Sequence, residues 1–136
     1  MRERVLVVLQ WFFGLYFIGV GVMHFIVPDG LPSMMAWMYE LNDTLHLISG
    51  TAEILGGLGL ILPMVTGIRP ELATFAAAGL ALLMVGAIVW HAGRGEYTQI
   101  ANNVVLGGLV GYLAYARWRI SPLEPRTAEP AGNANA

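Results

Sequence analysis

Four long apolar runs crowd into 136 residues, and runs of that length leave a chain few folds to choose from. They cover Val5–Val27, Leu45–Ile68, Leu72–Ala92 and about Ile100–Ala116, the last starting nearer Tyr97. At 1.5 Å per helical residue, about 20 residues cross the roughly 30 Å of hydrocarbon in a bilayer. Lipid offers backbone N–H and C=O groups no water, so each crossing segment must be a helix. The pattern predicts an all-α membrane protein, a four-transmembrane-helix bundle over residues 1–119. A disordered cytoplasmic tail is expected over residues 120–136, where Pro, Ala, Glu and Asn dominate.

Charge sets the direction of the spans. Only 12% of residues are charged and the mean hydropathy is +0.64, whereas a soluble domain carries about a quarter charged residues. Lys is absent. Arg2, Arg4, Arg69, Arg117, Arg119 and Arg126 fall on one side of the four runs and only Arg94 on the other. The excess of cations marks the cytoplasmic side, so both termini are expected there. Arg2 and Arg4 precede the first run as in a secretory signal. That run is too long for one and ends in His24-Phe25-Ile26-Val27-Pro28, not in small residues, so it is expected to be a retained span.

A net charge of −2 provides no basic footprint for nucleic acid. The absence of Cys excludes disulfides, thiolate metal sites and quinone reduction through a dithiol. His24, His46 and His91 stand singly on different runs, without His-x-x-x-His or Glu-x-x-His spacing, so no metal site is predicted. Ser33, Ser49 and Ser121 lie in no nucleophile motif. Gly56-Gly57-Leu58-Gly59 follows no strand and is no phosphate loop.

Glycines recur inside the runs: Gly14 and Gly21; Gly56, Gly57 and Gly59; Gly79 and Gly86; Gly107 and Gly111. Small residues let helices in lipid approach closely, so all are expected at packing faces. Between the first two runs, Pro28–Thr44 is too short and polar to cross. Its Leu31, Met34, Met35, Trp37, Met38 and Leu41 predict a short amphipathic helix at the outer surface, with Trp37 at headgroup level or the segment folded over the helices as a lid.

Glu53 is the only formal charge in Leu45–Ile68. A carboxylate near the centre of a span costs about 2.5–3.5 kcal/mol, so it needs a partner, a proton or a function. The other unusual polar residues gather toward the same outer half. His24 closes the first run, and His46 lies roughly 10 Å along the helix from Glu53 on the same face. Trp90-His91 end the third run, Arg94 and Glu96 follow in the turn, and Asn102 and Asn103 open the fourth. Asn103 shares a face with Gly107, Val110 or Gly111, and Ala114. Glu53, His24, His91, Arg94, Asn103 and Trp90 are the candidate ligand-binding residues. No catalytic residue is assigned. The structural alternative is that these groups satisfy one another, Glu53 pairing with Arg94 or bonding a His or Asn.

Three blocks carry a resemblance: His24-Phe25-x-x-Pro28; Ser49-Gly50-x-x-Glu53-Ile54-Leu55-Gly56-Gly57-Leu58-Gly59-Leu60-x-x-Pro63; and His91-x-x-Arg94-Gly95-Glu96. Over residues 5–119 the chain resembles the DoxX family, particularly its short DoxX-like branch. The resemblance implies a small four-helix protein of the bacterial inner membrane, the matching positions being His24, Glu53, His91, Arg94 and Glu96. Some members look like subunits of quinol oxidase or thiosulfate:quinone oxidoreductase systems. Many members carry Lys where His24 stands, and relatives often have an Arg-rich turn where this chain has only Arg69.

Two classes of function follow. One is a redox-associated membrane subunit that binds a quinone or another amphipathic molecule, with Glu53 and a histidine handling protons and Trp90 or Trp37 stacking on a ring. No flavin, haem or iron–sulfur ligand set is evident, so a redox partner subunit would carry electrons and a bound quinone is the one cofactor considered. The other is a scaffold or assembly subunit, in lipid alone, in a homo-oligomer or beside a partner. A permease is a third option, lacking the repeats and broken helices usual for transporters.

Overall fold

The computed structural model describes residues 2–127. Its regular structure is helical throughout. Four long helices run α1 Arg2–Ile26, α2 Asp43–Thr66, α3 Glu71–Ala92 and α4 Tyr97–Tyr115. A 3₁₀ helix, Ser33–Glu40, joins α1 to α2, and a π-helical turn, Ala116–Ile120, extends α4. Among the described residues, α1, α2 and α3 are long and apolar enough to cross a membrane. The fourth helix has 19 residues and is more polar, carrying Gln99, Asn102 and Asn103 in its first half.

Local chemistry explains the helix ends. Asn42 caps α2 by accepting the Leu45 N–H on its side-chain oxygen at 2.9 Å. Gly67 ends α2 in the left-handed conformation at φ 68°, its N–H bonded to the Pro63 carbonyl, a stop that glycine makes without steric cost. Pro70 then precedes α3, with φ already near the helical value.

Consecutive helices pack against each other, and α1 also touches α4. The core is Leu6, Phe13 and Phe17 of α1, Leu60 of α2, Ala77, Leu80 and Met84 of α3, and Val110 and Leu113 of α4. Outside it, large apolar side chains such as Phe12, Leu55, Phe75 and Leu82 are exposed. Lipid removes the usual hydrophobic drive between helices, so close fit has to hold them. Gly14, Gly21, Gly50 and Gly57 supply it between α1 and α2, where an added Cβ would lie under 3 Å from the opposite helix.

Gly79 and Gly86 do not serve that purpose, contrary to expectation. A Cβ on either meets nothing within 4 Å. Their missing side chains open space instead of closing a seam. The π-helical turn carries Arg117 inward, where it is 2% exposed.

Arg117 ties the turn after α4 to the start of α1. Its Nε donates to Gln10 Oε1 at 2.8 Å and its Nη1 to Glu3 at 2.8 and 3.0 Å. Gln10 in turn donates to the Leu60 carbonyl at 2.6 Å. Beyond the turn, the Arg126 backbone N–H bonds to the Gly67 carbonyl at 3.2 Å. Both ends of the described chain and the α2–α3 turn thus lie at one end of the molecule. The rest of the tail expected to be disordered, from residue 128, lies outside the described residues.

Candidate functional site

Opposite the Arg117 end, two glycine contacts set the geometry of the site. Gly21 and Gly50 bring α1 and α2 so close that a Cβ on Gly21 would lie 2.9 Å from the Gly50 carbonyl and 3.0 Å from Glu53 Cβ. His24 and Glu53 each follow one of these glycines by three residues, on the same faces. His24 Nε2 therefore stands 3.5 Å from Glu53 Oε2, both side chains almost fully buried. On its other side, His24 Nδ1 bonds His46 Nδ1 at 2.9 Å.

Glu53 Oε2 is buried with no hydrogen-bond partner in the protein. An unsatisfied buried polar atom costs about 1–3 kcal/mol. Arg94 does not meet this need, contrary to one of the pairings considered from the sequence. It donates from Nε to Glu96 at 3.1 Å, lies 3.4 Å from Glu40, and stacks its guanidinium 4.6 Å from the Trp90 ring centre.

Around Glu53 lies a cavity of about 790 Å³, within the range of ligand sites, about 300–1,000 Å³. Five of the six candidate residues line it: Glu53, His24, His91, Asn103 and Trp90, but not Arg94. Its walls are mostly apolar, with Phe17 and Val20 of α1, Ala52 of α2, and Leu83, Gly79 and Gly86 of α3. Leu82 and Ile48 also line it and are 72% and 56% exposed on the apolar flanks of α3 and α2. The cavity thus opens sideways between α2 and α3.

The segment expected as a surface amphipathic helix is a 3₁₀ helix that covers this cavity, the lid alternative. Trp37 packs its ring 5.4 Å from His91, edge to face, and 6.0 Å from His24. Met38 is completely buried, and Gln99 of α4 donates to the Met34 carbonyl at 3.2 Å. Tyr39 holds the entry to the segment, its hydroxyl donating to the Pro28 carbonyl at 2.8 Å.

His91 lies under Trp37, its Nδ1–H donating to Glu96 Oε2 at 2.6 Å. That hydrogen bond, followed by the one from Arg94, holds the Glu96 carboxyl below its ordinary value. Asn103 turns its amide back onto its own helix, donating to the Gln99 carbonyl at 3.0 Å. Trp37, Tyr16 and Asn102 line the cavity as well. Tyr16 carries no sequence signal, because an aromatic in a span reads as core or lipid-facing. Gln10 was legible by the logic applied to Glu53, as a lone amide in an apolar run.

Three helices fit to cross lipid, clothed in exposed apolar side chains, define an integral membrane protein. The chain belongs to the DoxX-like family, whose model matches residues 8–113. No curated protein and no solved structure matches it.

Proposed function

We propose that the cavity around Glu53 binds a quinone or similar amphipathic molecule, and that the chain serves as a redox-associated subunit of the bacterial inner membrane. In this reading α4 is the fourth span: 19 residues make about 28 Å of helix. Both termini face the cytoplasm, in line with six arginines against one across the helices. The cavity then faces the periplasmic half of the bilayer.

The observation that carries the reading is Glu53 Oε2, buried and unpartnered on the wall of an apolar cavity. A ligand with a polar ring and a greasy tail satisfies both features. Its ring oxygen takes a hydrogen bond from protonated Glu53, or its hydroxyl gives one to the carboxylate. Trp37 and Trp90 offer flat faces, and the glycine wall of α3 accepts a chain that exits past Leu82 into lipid. A bound quinone would supply two-electron chemistry, and a partner subunit that carries the electrons is part of the proposal.

The test is extraction of protein purified in mild detergent, with mass spectrometry of what it retains. Quinone near one per chain, and less of it in Glu53→Gln, is the expected result. Absence of quinone, together with failure to bind added quinone, removes the reading.

A further inference from the structure

From the line Glu53–His24–His46 we infer a proton path that leads from the rim of the molecule to the buried carboxyl. His46 is half-buried, His24 3% exposed and Glu53 6% exposed, so the three form a graded descent. Their contacts are 2.9 Å between the two Nδ1 atoms and 3.5 Å from His24 Nε2 to Glu53 Oε2.

The pairing of like nitrogens gives the path its logic. In a neutral imidazole one ring nitrogen donates and the other accepts. An Nδ1-to-Nδ1 hydrogen bond therefore needs one ring protonated at Nδ1 and the other bare there. When His24 accepts, its proton sits on Nε2 and points at Glu53. When His24 donates, Nε2 is a bare acceptor facing Glu53, which suits a protonated carboxyl. The tautomer of His24 thus follows the protonation of Glu53.

The transfer balances. Protonated His46 gives its Nδ1 proton to His24 Nδ1, and His24 gives its Nε2 proton to Glu53 Oε2. A cation at the rim and a buried anion are thereby both discharged. Only N–H and O–H bonds change, and no electron moves. The Glu53 oxygen that receives the proton has no hydrogen-bond partner to hold it away from His24.

No second path is built on the far wall. His91 has its Nδ1 committed to Glu96, and the Trp37 indole stands between its ring and that of His24. Tyr16 of α1 is the other titratable group on the cavity wall, and α4 presents the Thr98 hydroxyl and the amides of Gln99, Asn102 and Asn103 there.

The path takes its purpose from the reading of the cavity as a ligand site, but its test needs no ligand, so either can fail alone. After a pH jump on the full chain in nanodiscs, time-resolved infrared spectroscopy follows the carboxyl band of Glu53, assigned by its loss in Glu53→Gln. General acid–base groups are worth about 10²–10⁴-fold in rate, so His46→Ala is expected to slow the band by about a hundredfold. Added imidazole is expected to restore the rate in His46→Ala. His24→Gln is expected to be slow with or without imidazole. Should His24→Gln not fold, the half-buried His46→Ala and its rescue decide the matter. Equal rates in wild type and His46→Ala, or no Glu53 band at any pH the fold survives, overturn the inference.

Discussion

Gly57 and Gly14 press α2 onto α1 so closely that a methyl group on Gly57 would lie 2.5 Å from the Gly14 carbonyl oxygen. Gly86, one helix away, would place its methyl in open space. The same residue type therefore does opposite work at the two positions.

Alanine substitutions separate the two. Gly57→Ala forces backbones apart and is expected to lower stability by about 1–3 kcal/mol, the usual cost of overpacking. Gly86→Ala gains helix propensity without a clash and is expected to raise it by up to about 1 kcal/mol. Thermal unfolding in one detergent, followed by circular dichroism, compares the pair.

Arg117 is the keystone of the opposite end. Arg117→Ala strips Gln10 and Glu3 of their shared donor and is expected to cost about 2 kcal/mol, in the range for hydrogen bonds to charged groups. Arg117→Lys is expected to rescue little, since an ammonium lacks the fork that reaches both partners. Unfolding midpoints of the two variants, measured beside wild type, check both statements.

The α3–α4 turn carries a pH dependence whose sign follows from Glu96. Its carboxyl is held below the ordinary value of 4.5 by the hydrogen bond from His91 and then that from Arg94. A carboxyl with a lowered folded-state value stabilises the fold fully above its unfolded value. It loses that contribution as pH falls through the folded one. Hydrogen exchange at residues 93–97 is therefore expected to accelerate, beyond its intrinsic pH dependence, as pH falls below the ordinary carboxyl value and through the lowered one. Glu96→Gln is expected to show no such step.

Much of this was legible from residue pattern alone, for physical reasons that can be named. Apolar runs fix helices in lipid without help from tertiary structure, and Glu53 stood out because a lone charge there demands a reason. The gathering of His24, Trp90, His91 and Asn103 around Glu53 followed from helix direction and depth. What escaped depended on facing, which sequence spacing leaves open. Gly79 and Gly86 carry the same small-residue signal as Gly14 and Gly57, yet they face a cavity, not a neighbour. In the sequence Arg117 is only one of six cations on one side, and the π-helical turn that buries it leaves no mark in the spacing. Arg94 is drawn to Glu40 on the covering segment, a partner whose position no periodicity encodes.

Glu53 is expected to matter to ligand more than to fold. Glu53→Gln keeps the shape and removes an ionisable group whose Oε2 has no hydrogen bond. Its unfolding midpoint should be no lower than that of wild type. Affinity for quinone should fall about tenfold, or ~1.4 kcal/mol.

The most direct measurement is a fluorescence titration with a short-tailed quinone, which quenches indoles it stacks upon; Trp37 and Trp90 line the cavity. Saturable quenching is expected in wild type, shifted about tenfold to higher concentration in Glu53→Gln and abolished in Gly86→Leu, whose side chain fills the wall. Identical curves for all three proteins would contradict a binding site at Glu53.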